Sequence, residues 1–146
     1  MPTAPKLIAG LLMGALCWYV SELVKPALPE GFNPRRMSEL NAILGFIIGW
    51  RTLGSRVGEG IAAGISYGFT TMVAAVVACL FFDCVFEMLR LAYKQRYDGA
   101  AEALVDIFQL MVKYGPYLGT TTIIAVLLVG SAVIGTVVEV SSRYMK

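Results

Sequence analysis

Apolar residues in this chain fall into long runs separated by short polar stretches. Residues 7–24 carry one charge, Glu22, near the end of the run. Residues 61–82 carry none over 22 positions, and residues 119–138 carry none either. As a helix rising about 1.5 Å per residue, the middle run reaches roughly 33 Å, enough to cross a hydrocarbon core of about 30 Å. Backbone N–H and C=O groups in lipid must be paired within the spanning segment, and a helix does that. The pattern predicts an all-α integral membrane protein.

The first span is expected over 5–24. Pro5 suits a first helical turn, Pro26 and Pro29 stop the helix, and Trp18 and Tyr19 suit an interface. Segment 38–53 is shorter. Ser38 is a plausible N-cap, but the apolar stretch 40–50 covers only roughly 16 Å. Its flanks bring it near the lower limit of about 17 residues, with Arg51 snorkelling and Trp50 at the headgroups. That favours a short span over a re-entrant segment. The third span, 58–82, is expected to continue as helix to about residue 97, because Asp83, Glu87, Arg90 and Lys94 recur on one face.

Asp98-Gly99 breaks that helix, and Asp98 can cap an amphipathic helix over 98–114. Glu102, Asp106, Gln109 and Lys113 line one face; Leu104, Val105, Phe108, Met111 and Val112 face the other way. The helix carries net negative charge, which suits packing on the protein's own helices or on a partner better than an anionic lipid surface. Gly115-Pro116 is expected to end it, and the last span covers 119–138. The prediction is a single domain over 1–146: a bundle of about four transmembrane helices, the second short, with an amphipathic helix between the last two.

Composition agrees with this pattern. The hydrophobic fraction is 58% and the charged fraction 15%, against roughly 45–50% and about 25% in soluble domains. The net charge is +2 and the longest basic block is Arg35-Arg36, which leaves no nucleic-acid footprint. There is no His, so the commonest general base and metal ligand are missing. Cys17, Cys79 and Cys84 form no disulfide framework and no standard metal spacing. The first 20 residues lack a good small-residue cleavage site and read as an uncleaved first helix. No P-loop, GxSxG, HExxH or paired CxxC occurs. The expectation is a non-enzyme with neither cofactor nor bound metal.

The most unusual local feature is a glycine series. Gly45 and Gly49 are four apart, as are Gly54 and Gly58, and Gly60, Gly64 and Gly68 continue at the same step. Such a face lets another backbone approach closely. It reads either as tight packing between the second and third helices of one chain or as a seam to a partner or second copy. The boundary charges Glu22, Asp83, Glu87 and Glu139 lie at the ends of apolar runs and read as interfacial anchors within reach of water. Arg51 and Arg56, with Arg35 and Arg36, could bind an oxyanion or could simply set topology.

Four stretches carry a family likeness: MPTAPKLIAGLL, SELVKPALPEGFNP, GWRTLGSRVGEG and RYDGAAEALVDIFQLMVKYG. Together, and in this order over most of the chain, they resemble the TrgA-type tellurium-resistance membrane proteins of bacteria. The resemblance implies a small, multi-pass inner-membrane protein associated with resistance to tellurite, and it supplies no catalytic residues. Tellurite is a thiol-reactive oxyanion, so the three cysteines and the arginines around Arg51 are the chemically suggestive groups. Other classes fit the same residues: an accessory subunit of a larger respiratory or photosynthetic membrane complex, or a small homo-oligomeric channel. The expected partners are the lipid bilayer and another membrane protein, or a second copy, through the glycine face or the 98–114 helix.

Four spans put the two longer loops on one side. That side carries Lys25, Arg35, Arg36, Arg90, Lys94, Arg96 and Lys113; the other carries Lys6, Arg51, Arg56, Arg143 and Lys146. The bias predicts cytoplasmic loops and periplasmic termini. A reporter fused after Lys146 that works only in the periplasm should be active, and activity of a cytoplasm-only reporter there would reverse the orientation.

Overall fold

The computed structural model describes residues 4–30, 32, 34–94 and 97–144. The described residues form five α-helices and no strand: α1 (Ala4–Val24), α2 (Met37–Ile48), α3 (Ile61–Ala92), α4 (Ala100–Leu118) and α5 (Thr121–Tyr144). A single 3-10 turn, Lys25–Ala27, follows α1, and α2 runs on without a break into a π-helical turn, Gly49–Leu53. Three segments are long and apolar enough to cross a membrane: Ala4–Ala27, Ile61–Ala92 and Thr121–Tyr144. The segment expected over 38–53 is helical from Met37 to Leu53 but is not one of the three.

Several helix ends differ from expectation, each for a local reason. Ser38 does not cap α2. Arg36 holds the N-cap position, and Ser38 lies buried in the first turn, donating to Glu22 Oε1 at 2.6 Å. The third span starts at Ile61 rather than 58, because Gly58 and Gly60 take φ of 104° and 115°, which no right-handed helix uses. The same helix ends at Ala92, short of 97; Gln95 and Arg96 lie outside the described residues. Gly99, not Asp98, is the N-cap of α4, and the Asp98 N–H donates back to Glu102 Oε2 at 3.0 Å. Gly115-Pro116 does not end α4, which continues to Leu118. A proline in the last turn removes only the bond to the carbonyl of Val112, an exposed residue.

The glycines do not join α2 to α3. They form two separate seams. In the first, α2 runs antiparallel to α1. A Cβ on Gly45 would sit 2.6 Å from Cys17 Sγ, and one on Gly49 would sit 2.6 Å from the Ala9 carbonyl oxygen. The α1 glycines answer in kind: a Cβ on Gly14 would meet the Ala42 carbonyl oxygen at 2.8 Å. In the second seam, Gly64 and Gly68 of α3 face Gly135 and Ser131 of α5. A Cβ on Gly68 would lie 2.5 Å from the Ser131 carbonyl oxygen. Gly60 belongs to neither seam; nothing lies within 4 Å of where its Cβ would be. The two pairs meet where α1 packs on α5, with Leu16 against Gly130.

The outer surface is apolar. Leu7, Leu11, Ile43, Ile47, Ile65, Phe69, Val77, Val129 and Val133 are all exposed, while Ser21, Asn41, Thr71, Ser131 and Glu139 are buried. Water would make such an exterior an aggregation liability. In lipid it would be the ordinary solvent-facing side, with small residues and polar groups left to hold the helices together.

These contacts predict a contrast between near neighbours on α3. Gly64→Leu would drive a side chain into the Gly135 carbonyl oxygen and Glu139 Cβ, both 2.9 Å from the first added carbon. Overpacking of this kind costs on the order of 1–3 kcal/mol. Ala62→Leu adds similar bulk on the exposed face. The glycine variant should lose monodisperse, membrane-inserted protein in detergent, and the alanine variant should not. Equal loss from both would show that the seam tolerates bulk.

Candidate functional site

Two polar clusters are buried in the bundle, one toward each end. At the end where α1 starts and α5 finishes, α5 carries Glu139, with a relative exposure of 1%. Its Oε2 accepts the Gly58 N–H at 2.9 Å and its Oε1 accepts the Gly60 N–H at 2.9 Å. Arg143 Nε lies 3.7 Å from the same carboxylate. Gly60 is the N-cap of α3 and has no side chain with which to cap it. The carboxylate from α5 accepts the N–H of the N-cap residue itself and of Gly58 before it, and meets the positive end of the α3 dipole. Gly58 and Gly60 are glycines because of their positive φ, and their place is in this clamp rather than in a packing face.

The other cluster ties three helices together. Asn41 of α2 donates from Nδ2 to Ser21 Oγ of α1 at 2.9 Å and to Asp83 Oδ2 of α3 at 3.0 Å. Ser21 in turn donates to the Cys17 carbonyl at 2.7 Å. Asn41 Oδ1 is buried and has no hydrogen-bond partner. Nearer the end of α1, Glu22 Oε1 receives both Lys25 Nζ and Ser38 Oγ at 2.6 Å. A cavity of about 50 Å³ opens beside Asn41. Cys17, Cys79 and Cys84 line it with Ser21 and Asp83, and its remaining wall is apolar. Phe32 and Tyr114, packed edge to face at 5.2 Å, also line it. Burial raises the Tyr114 phenol above its ordinary pKa, so it stays neutral there.

The sequence-predicted site residues scatter. Gly45 and Gly49 pack against α1, and Gly64 and Gly68 of α3 pack against α5. Arg35 and Arg36 precede α2, whereas Arg51 and Arg56 lie at and beyond its far end, roughly 24 Å away along the helix. They do not converge on one anion. The Arg56 guanidinium lies 5.7 Å from the Tyr67 ring centre, and the Tyr67 hydroxyl donates to Glu59 at 2.6 Å. A carboxylate this near works against an oxyanion pocket. Arg51 is exposed beside a shallow groove shared with Lys6 and Ser55. Among the described residues no three His, Cys, Asp or Glu side chains are grouped to hold a metal ion.

Two boundary charges are not the watery anchors expected of them. Glu139 is fully enclosed, and Glu87, 7% exposed, is paired with Arg90 at 2.5 Å. The sequence signal for the second cluster was an Asn at the edge of an apolar run, opposite a Ser at the end of another. Neither residue stands out until the helices are docked.

The clamp predicts a graded loss. Glu139→Ala leaves two amide N–H groups without their acceptor, at a cost of about 1–2 kcal/mol given their partial access to water. Glu139→Gln keeps one acceptor oxygen and should cost less. Thermal unfolding in detergent should rank the proteins wild type, Gln, Ala. An unchanged midpoint for Glu139→Ala would show that the clamp adds nothing to stability.

No protein-family model matches the chain, and neither a curated protein nor a solved structure matches it.

Proposed function

We propose that the chain is a four-span protein of the bacterial inner membrane that contributes to tellurite tolerance without catalysing a reaction. The observation that carries the membrane reading is the inverted packing, apolar outside and small or polar inside. The fourth span is α2 with its π-helical turn. Its start is tied to Ser21 and Glu22 near one end of α1, and Gly54 beyond its end touches Lys6 near the other. It therefore keeps level with α1 over roughly 24 Å. The first and last spans then place both termini on one side.

The tellurite assignment is supported by the resemblance of the four stretches quoted above. The non-catalytic reading is supported by Asn41 and Glu139, whose buried polar atoms are engaged in tying helices together. A second reading, an accessory subunit of a larger complex, is favoured by one observation. The outer face of α4 exposes Leu104, Val105, Phe108 and Val112, although α4 already buries Ile107, Leu110 and Tyr114 against its own chain.

Deleting the gene should sensitise cells to tellurite, and the wild-type chain should restore growth. A variant with Cys17, Cys79 and Cys84 all replaced by Ala should restore it nearly as well, because thiols in apolar surroundings resist forming the reactive thiolate. Unaltered tellurite sensitivity on deletion would remove the tellurite reading. Lost complementation by the thiol-free chain, at normal protein level, would make the thiols the protective groups. Native mass spectrometry that finds a stoichiometric larger partner would establish the accessory reading instead.

A further inference from the structure

The cavity between α1, α2 and α3 holds chemistry that helix packing does not require. Cys17 of α1 and Cys79 of α3 line this cavity together, and Cys17 Sγ lies against Gly45 of α2, one turn on from Asn41. The Cys79 thiol also lies 3.8 Å from the Asn41 backbone oxygen. All three cysteines are free and buried. Beside them Asn41, 3% exposed, has its amide nitrogen engaged twice while Oδ1 has no donor. A buried acceptor left open is costly, and native structures leave few of them. This one stands in the wall of the cavity that the thiol pair also lines.

We propose that Cys17 and Cys79 form a two-coordinate site for a soft monovalent d10 cation of the Cu(I) or Ag(I) class. Ligand type is the first argument, since sulfur donors select soft ions. Ligand number is the second. No third or fourth metal-ligating side chain is grouped there among the described residues, so tetrahedral zinc and the oxygen-ligated cations are not served. Two sulfur donors in one cavity wall suffice for linear coordination. Size is the third: about 50 Å³ admits an ion or a few waters, whereas organic ligands occupy pockets of about 300 Å³ or more.

The charge balance closes without a redox partner. One thiol loses its proton, the cation bonds that thiolate and the other neutral thiol, and no electron moves: RSH + R′SH + M⁺ gives RS–M–S(H)R′ + H⁺. The product is neutral, as an apolar wall demands. Its retained S–H is a donor beside the open Asn41 acceptor. The released proton has a carboxylate in the same wall, Asp83, which also borders the outer cleft bounded by Arg36 and Glu87.

The test uses the full chain, reduced and purified in mild detergent, titrated with Ag⁺ against an excess of a small monothiol. We expect uptake of about one equivalent. Bound Ag⁺ should protect Cys17 and Cys79, mapped by mass spectrometry, from alkylation under mild unfolding, and leave Cys84 reactive. Cys17→Ser and Cys79→Ser should each weaken binding roughly tenfold or more, and Cys84→Ser should not. The alkylation map needs no variant, so a poorly folding mutant does not spoil the test. No uptake against the competitor, equal protection of all three cysteines, or equal loss from Cys84→Ser would overturn the site. The tellurite phenotype of the thiol-free chain is a separate readout, so either idea can fail without the other.

Discussion

Backbone-to-backbone contact between helices is the constraint on which the rest of this structure depends. In lipid, apolar side chains gain nothing by leaving their surroundings for a helix interface, so association rests on packing and on polar bonds. Gly14, Gly45 and Gly49 let α1 and α2 touch, and Gly64, Gly68 and Gly135 do the same for α3 and α5. At most of these positions even one added carbon would meet a carbonyl oxygen at 2.5–2.9 Å. Close approach also brings the polar groups within bonding range. Glu139 reaches the Gly58 and Gly60 amides because Gly64 lets α5 lie against the start of α3.

The two polar clusters follow from that geometry and set the register of the helices. A glycine seam alone resists sliding weakly, since it is smooth. Asn41, bonded to both Ser21 and Asp83, allows one relative height of α1, α2 and α3. Glu139 does the same for α3 and α5 at the opposite end. Slippage by one turn, about 5.4 Å, would strand all of these groups in a low-dielectric interior. The seams thus provide attraction and the polar pairs provide position.

The all-helical class, with helices long and apolar enough to cross a membrane, was legible because runs of apolar residues have few physical outcomes. The four-per-step glycines were legible as packing residues, but not their partners. Gly45 and Gly64 have the same local appearance, and only the order of docking sends one to α1 and the other to α5. Gly60 was misread for a different reason. Its spacing continues the series, yet its backbone has φ of 115° and its role is to present an N–H to Glu139. Spacing cannot separate a glycine needed for space from one needed for conformation. Glu139 and Glu87 were misread because a charge at the end of an apolar run looks interfacial when the run is considered alone; both are enclosed by neighbouring helices. Pro116 shows the limit of breaker rules, since a proline in a final turn costs a helix little.

The cavity lies where the two ways of holding helices together meet imperfectly. Along α1 and α2 the glycines bring backbones into contact, so no space remains between them. Toward the end of the bundle at Asp83, α4 reaches α3 with larger side chains, Ile107, Leu110 and Tyr114 against Cys84 and Leu80. Close packing on one flank and bulky packing on the other leave a gap beside Asn41 and the thiols. A filled, apolar solution was available to the sequence at these positions, with leucine in place of Asn41 and valine in place of Cys79. It would have closed the gap and removed the open Oδ1. The residues present instead keep the space small, lined with sulfur and one unsatisfied oxygen, and next to α4, whose outer face exposes Leu104, Val105, Phe108 and Val112. Space, sulfur and an open acceptor in one place distinguish this point from the rest of an otherwise closed interior.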